Sequence, residues 1–395
     1  MATTFKTFLN NDITSTRTLL HESIPVTGSI VSGTYGTVAT ALNDAPNIKN
    51  YAHGMFQSVY DYPYLSSSAN HLFDITVGYA NQSHLSGTGH GTAGGVVQQA
   101  KKINIYNQFA QILAGHDATG GILQLTTGSV TDANGNNSAA GTGTGKLKEA
   151  IFINFSRLLA KDEIKKGSFS IQIGTGSFGL SDDGSASPFN HKTNGDTVVT
   201  IDDSGAENDY RVNSPAGEYA ILSMSAGAAS GKENNPCGLI YYQAGIVVLS
   251  GSVFTSGSGG MLGTNNLGFA GPVGTFGGEK ETNFNAVLSG STITGSCDYF
   301  RHRIKNISFN NTTELNSTIH FCRVNHNDFN YSANPTYLSE SKIRVKNNSL
   351  DSPVSYITTV GLYSADNELL AVAKLSEPLK KDPTNEMTLR VRLDY

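Results

Sequence analysis

The chain has 395 residues and a formal net charge of -5, and only 15% of its residues are charged. That balance, with no run of Lys or Arg longer than two, excludes a basic surface for gripping phosphates and with it a nucleic-acid binder. Hydrophobic residues make up 38% and glycine alone fills 43 positions, so turns and short strands are favoured over long helices, and the length suits two or three domains.

Residues 1–30 read as an N-terminal anchor segment. An Asn or Asp around Asn10-Asn11-Asp12 is placed to cap a short helix that runs through Leu19, Leu20 and His21 and ends before Pro25. The opening Met1-Ala2-Thr3-Thr4-Phe5-Lys6 carries no charged leader and apolar core, so no cleavable export signal is expected. Gly33 and Gly36 mark a turn into a first α+β domain, expected over 31–190. Within it, 73–77 alternates apolar and polar residues and predicts a strand, and a Gly-rich loop covers 87–95. Residues 97–114 carry Ile105, Phe109, Ile112 and Leu113 at helical spacing, with Gly115 placed to end the helix in the left-handed region. Between 126 and 145 little is available to bury, which predicts an exposed loop. A strand at 151–155, a helical turn at 161–166 and a second strand through Phe169, Ile171 and Ile173 complete this part.

A β domain is expected over 191–300, from β signals at 198–201, 219–222 and 239–242 and from Gly245 turning the chain into 246–249. Residues 255–278 hold nine glycines and predict a second long loop. From 301 to 395 the pattern predicts a compact antiparallel module. Its hairpin joins 356–363 to 369–375 through Asp366-Asn367, Pro378 and Pro383 interrupt the chain, and a terminal strand alternates Leu389, Val391 and Leu393 with Arg390, Arg392 and Asp394. The fold class is therefore mainly β with a few short helices: β-sandwich or open-barrel domains plus a C-terminal antiparallel β unit. The longest apolar stretches, such as 245–249, fall far short of the roughly 20 residues of a bilayer helix, so no membrane partner is expected.

Motifs with chemistry are sparse. Gly89-His90-Gly91-Thr92-Ala93-Gly94 fits G-x-G-x-x-G ahead of a helix, but the upstream strand ends at Val77 and Gly120-Gly121 follows the helix, so a dinucleotide fold is not predicted; Gly174 to Gly179 gives a second match with no helix after it. The run from Ala140 to Leu147 has Gly145-Lys146 of a phosphate loop, yet lacks the leading glycine and the hydroxyl that would meet magnesium. His320 and Cys322 fall on one face of a strand, with His326 and His302 as conceivable further ligands, but no second pair has metal spacing. Asp182-Asp183-Gly184 and Asp202-Asp203-Ser204-Gly205 read as solvated acidic turns. Three cysteines, Cys237, Cys297 and Cys322, are too few for a disulfide framework and suit a protein made in a reducing cytosol. The expectation is no catalytic, cofactor or metal residues, no cofactor and no enzymatic activity.

Several segments carry a resemblance. Phe5-Lys6-Thr7-Phe8, Thr16-Arg17-Thr18-Leu19-Leu20-His21-Glu22, Tyr64-Leu65-Ser66-Ser67-Ser68-Ala69-Asn70-His71, Ala100-Lys101-Lys102-Ile103-Asn104-Ile105-Tyr106-Asn107-Gln108, and Arg157-Leu158-Leu159 with Lys161-Asp162-Glu163-Ile164-Lys165-Lys166-Gly167 resemble virion structural proteins of contractile-tailed phages that infect marine bacteria, notably cyanobacteria. The stretches 356–363 and 369–375 look similar to a module of such tail and baseplate proteins. The resemblance implies a structural place in the particle, in the tail or baseplate, with other virion proteins and copies of the chain itself as partners, after synthesis in the host cytoplasm. A head or neck position and a receptor-binding adhesin are the alternatives, and a hydrolase acting on the cell envelope is a more distant one.

Overall fold

The structure is a computed structural model that describes residues 5–32, 47–61, 70–86, 96–127, 145–174, 198–226, 236–251, 284–301, 303–332, 335, 338–339, 342–343, 348 and 350–395. The turn at Gly33 and Gly36, the loop at 87–95, nearly all of 126–145 and the glycine-rich 255–278 lie outside these residues. The protein is mainly β, with five short helices among the described residues.

In chain order, a 3-10 turn at Asn10–Asp12 leads into β1 (Ile13–Thr27) and α1 (Gly28–Ser32). Then come β2 (Ile48–Asn50), β3 (Gln57–Tyr60), β4 (His71–Tyr79), α2 (Gln99–Leu113), β5 (Glu149–Phe155), α3 (Arg157–Ala160), β6 (Glu163–Ile164) and β7 (Ser170–Gly174). The middle of the chain supplies β8 (Val198–Asp202), β9 (Arg211–Ser214), β10 (Gly217–Ala226), β11 (Pro236–Tyr241), β12 (Ile246–Ser250), α4 (Phe284–Gly290) and α5 (Ile293–Arg301). The last part holds β13 (Ile304–Val324), β14 (Leu338–Ser339), β15 (Lys342–Ile343), β16 (Ser355–Tyr363), β17 (Leu369–Lys381) and β18 (Met387–Asp394).

These elements fall into two compact units: a large one of His21–Thr313, and a small one that joins Met1–Leu20 to Glu314–Tyr395. The boundary expected at 190 lies outside the described residues, and described strands from either side of it share a sheet: β7 pairs β8, and β12 pairs β5. The C-terminal module expected from 301 gathers from Glu314 and takes residues 1–20 with it. Which distant strand a segment pairs with is not written in local periodicity, and both differences follow from that.

In the large unit an antiparallel sheet runs in the order β13-β7-β8-β10-β11-β12-β5-β4-β3-β2. It curls on itself. Phe155 of β5 lies 4.8 Å ring to ring from Phe309 of β13, although five strands separate them in the sheet order. Residues Phe152, Ile153, Val247, Val248 and Leu249 from the sheet centre are fully buried, as expected where both faces are covered. Helix α2 closes one face. Gly78 of β4 permits this, since a Cβ there would stand 2.7 Å from the Lys102 carbonyl oxygen. Helix α5 packs on the same strand, where the Cys297 thiol lies 3.5 Å from the Ile75 carbonyl.

Four local expectations change. The residues read as an N-terminal helix form β1: Ile13, Thr14, Thr16 and Thr18 are β-branched and stiff at χ1, and β1 lies beside β13 in the sheet, which outweighs the cap. Only Asn10–Asp12 turns, with the Leu9 N–H donating to the Asp12 carboxylate at 3.0 Å. The helical turn at 161–166 is replaced by α3, which stops at Lys161 in the left-handed region (φ +56), and by β6, which pairs with Asn311 and Thr312. In α2 the buried face is Lys102, Ile105, Tyr106, Ala110 and Leu113, while Ile112 is exposed. Pro378 does not end β17: the register jumps from Ile357↔Leu379 to Thr359↔Lys374, so the proline occupies a bulge where no ladder bond is required.

Candidate interaction surface

In the small unit, residues 317–324 of β13 pair with β18, and the Asn316 and Tyr395 backbones exchange two hydrogen bonds of 3.1 and 2.9 Å at its end. Beside this, β16 and β17 form a separate two-stranded ribbon. The β-branched and aromatic run Tyr356-Ile357-Thr358-Thr359-Val360 suits a pleated strand, and Asn367 (φ +65) supplies the left-handed residue of the turn. Phe5 sets its ring edge-on to Tyr363 at 5.0 Å, and Lys6 is ion-paired with Asp328 at 2.5 Å.

This unit buries little. Val324 and Leu362 are its only buried large apolar side chains among the described residues, whereas every member of the main core cluster lies between Val26 and Phe309. Conversely, seventeen of the twenty-three large apolar side chains exposed among the described residues belong to the small unit. They include Leu369, Leu370 and Val372 on β17 and Tyr356 and Tyr363 on β16. Residues 13–20, its part of β1, are exposed at every position, on both faces of the strand. A two-stranded ribbon is marginal in water without a third strand or a cover, and a large exposed apolar surface marks a site of association.

Polar pins hold the small unit in place of a core. The buried Lys381 ammonium donates to the His326 carbonyl at 3.0 Å, the Asn330 side-chain oxygen at 2.7 Å and the Asp382 carbonyl at 2.8 Å. Arg17 pairs with Glu314, and Arg323 with Asp12 at 2.6 Å. Four carboxyls lie below their ordinary value for local reasons. The Leu9 backbone N–H does this for Asp12, the Lys6 side chain for Asp328, the Thr384 hydroxyl for Asp382, and the Ser317 hydroxyl followed by Arg392 for Asp394.

The residues singled out for chemistry come to rest apart. His320 and Cys322 share β13, opposite Val391 and Leu389 of β18; the His320 ring meets Phe8 at 5.3 Å, and burial pushes the Cys322 thiol up. His326 turns instead towards Glu386, 3.3 Å away, and His302 lies outside the described residues. Among the described residues no three His, Cys, Asp or Glu side chains gather to hold a metal ion. The Gly89–Gly94 motif and Asp182-Asp183-Gly184 also lie outside, as do all but the first residue of 174–179 and residues 140–144 of the phosphate-loop-like run.

The acidic turn at Asp202-Asp203 is not solvated as expected. The Asp203 carboxylate is buried, accepts from the Gly167 and Phe169 backbones at 2.9 Å each and from the Tyr242 hydroxyl at 2.8 Å, and is raised by burial against those donors. It ties the β7 entry to β8 and β11. Ser58, Asp74 and His71 do meet, but the Ser58 hydroxyl donates to the Asp74 oxygen at 2.5 Å and His71 Nε2 lies 2.9 Å from that same oxygen. An activated nucleophile needs the imidazole between hydroxyl and carboxylate, and here the carboxylate is central.

Lys102 is the other group that the sequence reading missed. Its ammonium is fully buried under α4, donating to the Leu288 carbonyl and, at 2.7 Å, to that of Ser291, and burial pushes it down to about 8. No helix among the described residues is long and apolar enough to cross a membrane. No family model matches the chain, and neither a curated protein nor a solved structure matches it.

Proposed function

We propose that this chain is a structural subunit of a phage particle, in the tail or baseplate, that works by assembling with other virion proteins and with copies of itself. The observation that carries the reading is the uneven burial. Seventeen exposed large apolar side chains sit on a unit that buries two, Val324 and Leu362, among the described residues. That exposed set represents on the order of 1,500–2,000 Å² of apolar-residue surface, against roughly 800 Å² per partner in a standard stable interface. The resemblance of the N-terminal and C-terminal segments to virion structural proteins names the kind of particle.

The test is a side-chain-resolution reconstruction of intact particles of the phage that encodes the chain. Density for this chain in the tail or baseplate, with β1 and the β16–β17 ribbon covered by neighbours, is the expected result. Density on the capsid or on a distal fibre would move the function to head stabilisation or host recognition, and absence from the particle would overturn the reading.

A further inference from the structure

We propose that α4 is a spring-loaded lid in the large unit: the Lys102 ammonium is sealed beneath it without a counter-charge, and lifting α4 with the corner that joins it to α5 returns that charge to water. The start of α2 and the two residues before it hold the corner down. The Val97 N–H donates to the Ser289 carbonyl at 2.9 Å, the Ile293 N–H donates to the Gln98 side-chain oxygen at 2.9 Å, and the Lys102 ammonium donates to the Leu288 carbonyl and, at 2.7 Å, to that of Ser291. Gln98 makes its contact from the left-handed region (φ +54), which a side chain other than glycine rarely adopts, so the grip carries backbone strain.

Helix α5 is held differently. Arg301 donates to the Val31 carbonyl at 2.9 Å and pairs with Asp298 at 2.8 Å, and Asp298 also accepts from Gln57 of β3. α4 runs from Phe284 to Gly290 and has no ionisable side chain with which to form such a pair. α5 is therefore the fixed wall, and α4 is the part that moves.

The spring is the buried charge. Two carbonyls replace only part of the water that an ammonium gives up, and among the described residues no carboxylate pairs with Lys102. Burial accordingly holds its pKa near 8, against an ordinary 10.5. The other ionisable groups around it are Cys297 of α5, Tyr79 of β4 and, on α2 itself, Tyr106 and Lys101. Burial pushes the Cys297 thiol up and Tyr79 up to about 12, Tyr106 is pushed up and donates to the Leu147 carbonyl, and Lys101 turns to the His53 carbonyl. An opened lid restores the ordinary value of Lys102, so between about 8 and 10.5 the open form binds more protons than the closed one. The lid thus closes more tightly as pH rises through that window, and below about 8 it opens most easily.

The experiment is hydrogen exchange on the full chain, corrected for intrinsic rates, at the Val97, Ser291 and Ile293 amides, which donate within or beside the clamp. It uses Cys297→Ala, which removes the thiol that would ionise in the opened form, with and without Lys102→Met. At about pH 7 these amides should open at least about tenfold more often than those of β12, as a local motion requires. From about pH 7 to pH 9 their opening constant should fall about tenfold in the chain that keeps Lys102 and stay level in Lys102→Met. A constant that does not fall with Lys102 present, or that falls equally in both chains, would overturn the proposal. So would clamp amides that open no more often than β12, a result that needs only the Cys297→Ala chain and stands even where Lys102→Met does not fold.

Discussion

Two antiparallel pairs in this chain are built from similar residues and end in opposite environments. β5 and β12 read Ile151-Phe152-Ile153 against Val247-Val248-Leu249, and every one of these side chains is fully buried. β16 and β17 read Thr359-Val360-Gly361-Leu362 against Lys374-Ala373-Val372-Ala371, and of these Leu362 alone is buried. The difference lies in what covers them. Phe109 of α2 stacks on Phe152 at 4.2 Å, whereas Tyr363 of the ribbon meets the Phe5 ring edge-on at 5.0 Å and stays exposed. Strand-forming chemistry is thus local, but burial is decided by a lid supplied from elsewhere in the chain, or from another chain.

The largest effect that sharpens this contrast is in the covered pair. Phe152→Ala should lower the stability of the large unit by about 3–5 kcal/mol through lost packing and the cavity left against Phe109, read from chemical denaturation. A loss below about 1 kcal/mol would mean that the curled sheet is not the core. Gly78→Ala comes next, at about 1–3 kcal/mol, because its Cβ collides with the Lys102 carbonyl and pushes α2 off β4. The midpoint of the same unfolding curve checks it.

Acid should separate the two units. Asp12, Asp328, Asp382 and Asp394 of the small unit are held below the model-compound value of 3.8, so the stability they contribute is present above that value and is lost as pH falls through their folded values. In the large unit Asp117 acts in the same direction, but Asp203 is raised and acts in the opposite one: its contribution is complete below 3.8 and fades as pH rises through its folded value. Methyl NMR between about pH 5 and pH 2 should therefore show small-unit signals broadening first. Simultaneous loss in both units would remove the distinction.

The smallest effect is the most diagnostic of exposure. Leu370 is 68% exposed, and Leu370→Ala should change the stability of the dilute, isolated chain by no more than about 0.5 kcal/mol while weakening assembly. Thermal unfolding read beside a binding titration checks both halves.

Much of the fold was legible. The alternation at Phe169, Ile171 and Ile173, the Gly245 turn, the Asp366-Asn367 hairpin and the terminal strand all report strands through side-chain period two and turn chemistry, and Gly115 (φ +84) ends α2 as its position implies. What failed was non-local. β1 looked helical because its cap signal is local while its place beside β13 is not, and the buried role of Lys102 depends on α4, almost two hundred residues away. The candidate interaction surface was legible only as strands. That they lie uncovered is a property of the folded chain, and no spacing within 355–381 encodes it.

Hydrogen exchange on the dilute, isolated chain and on the particle proposed to contain it tests the central claim most directly, since amide protection reports whether a segment is complete by itself. Amides of β16 and β17 should exchange far faster than those of β5 and β12 in the isolated chain and become protected on assembly, with β5 and β12 unchanged. Ribbon protection in the isolated chain equal to that of the buried sheet would contradict the account, because the small unit would then need no partner to be complete.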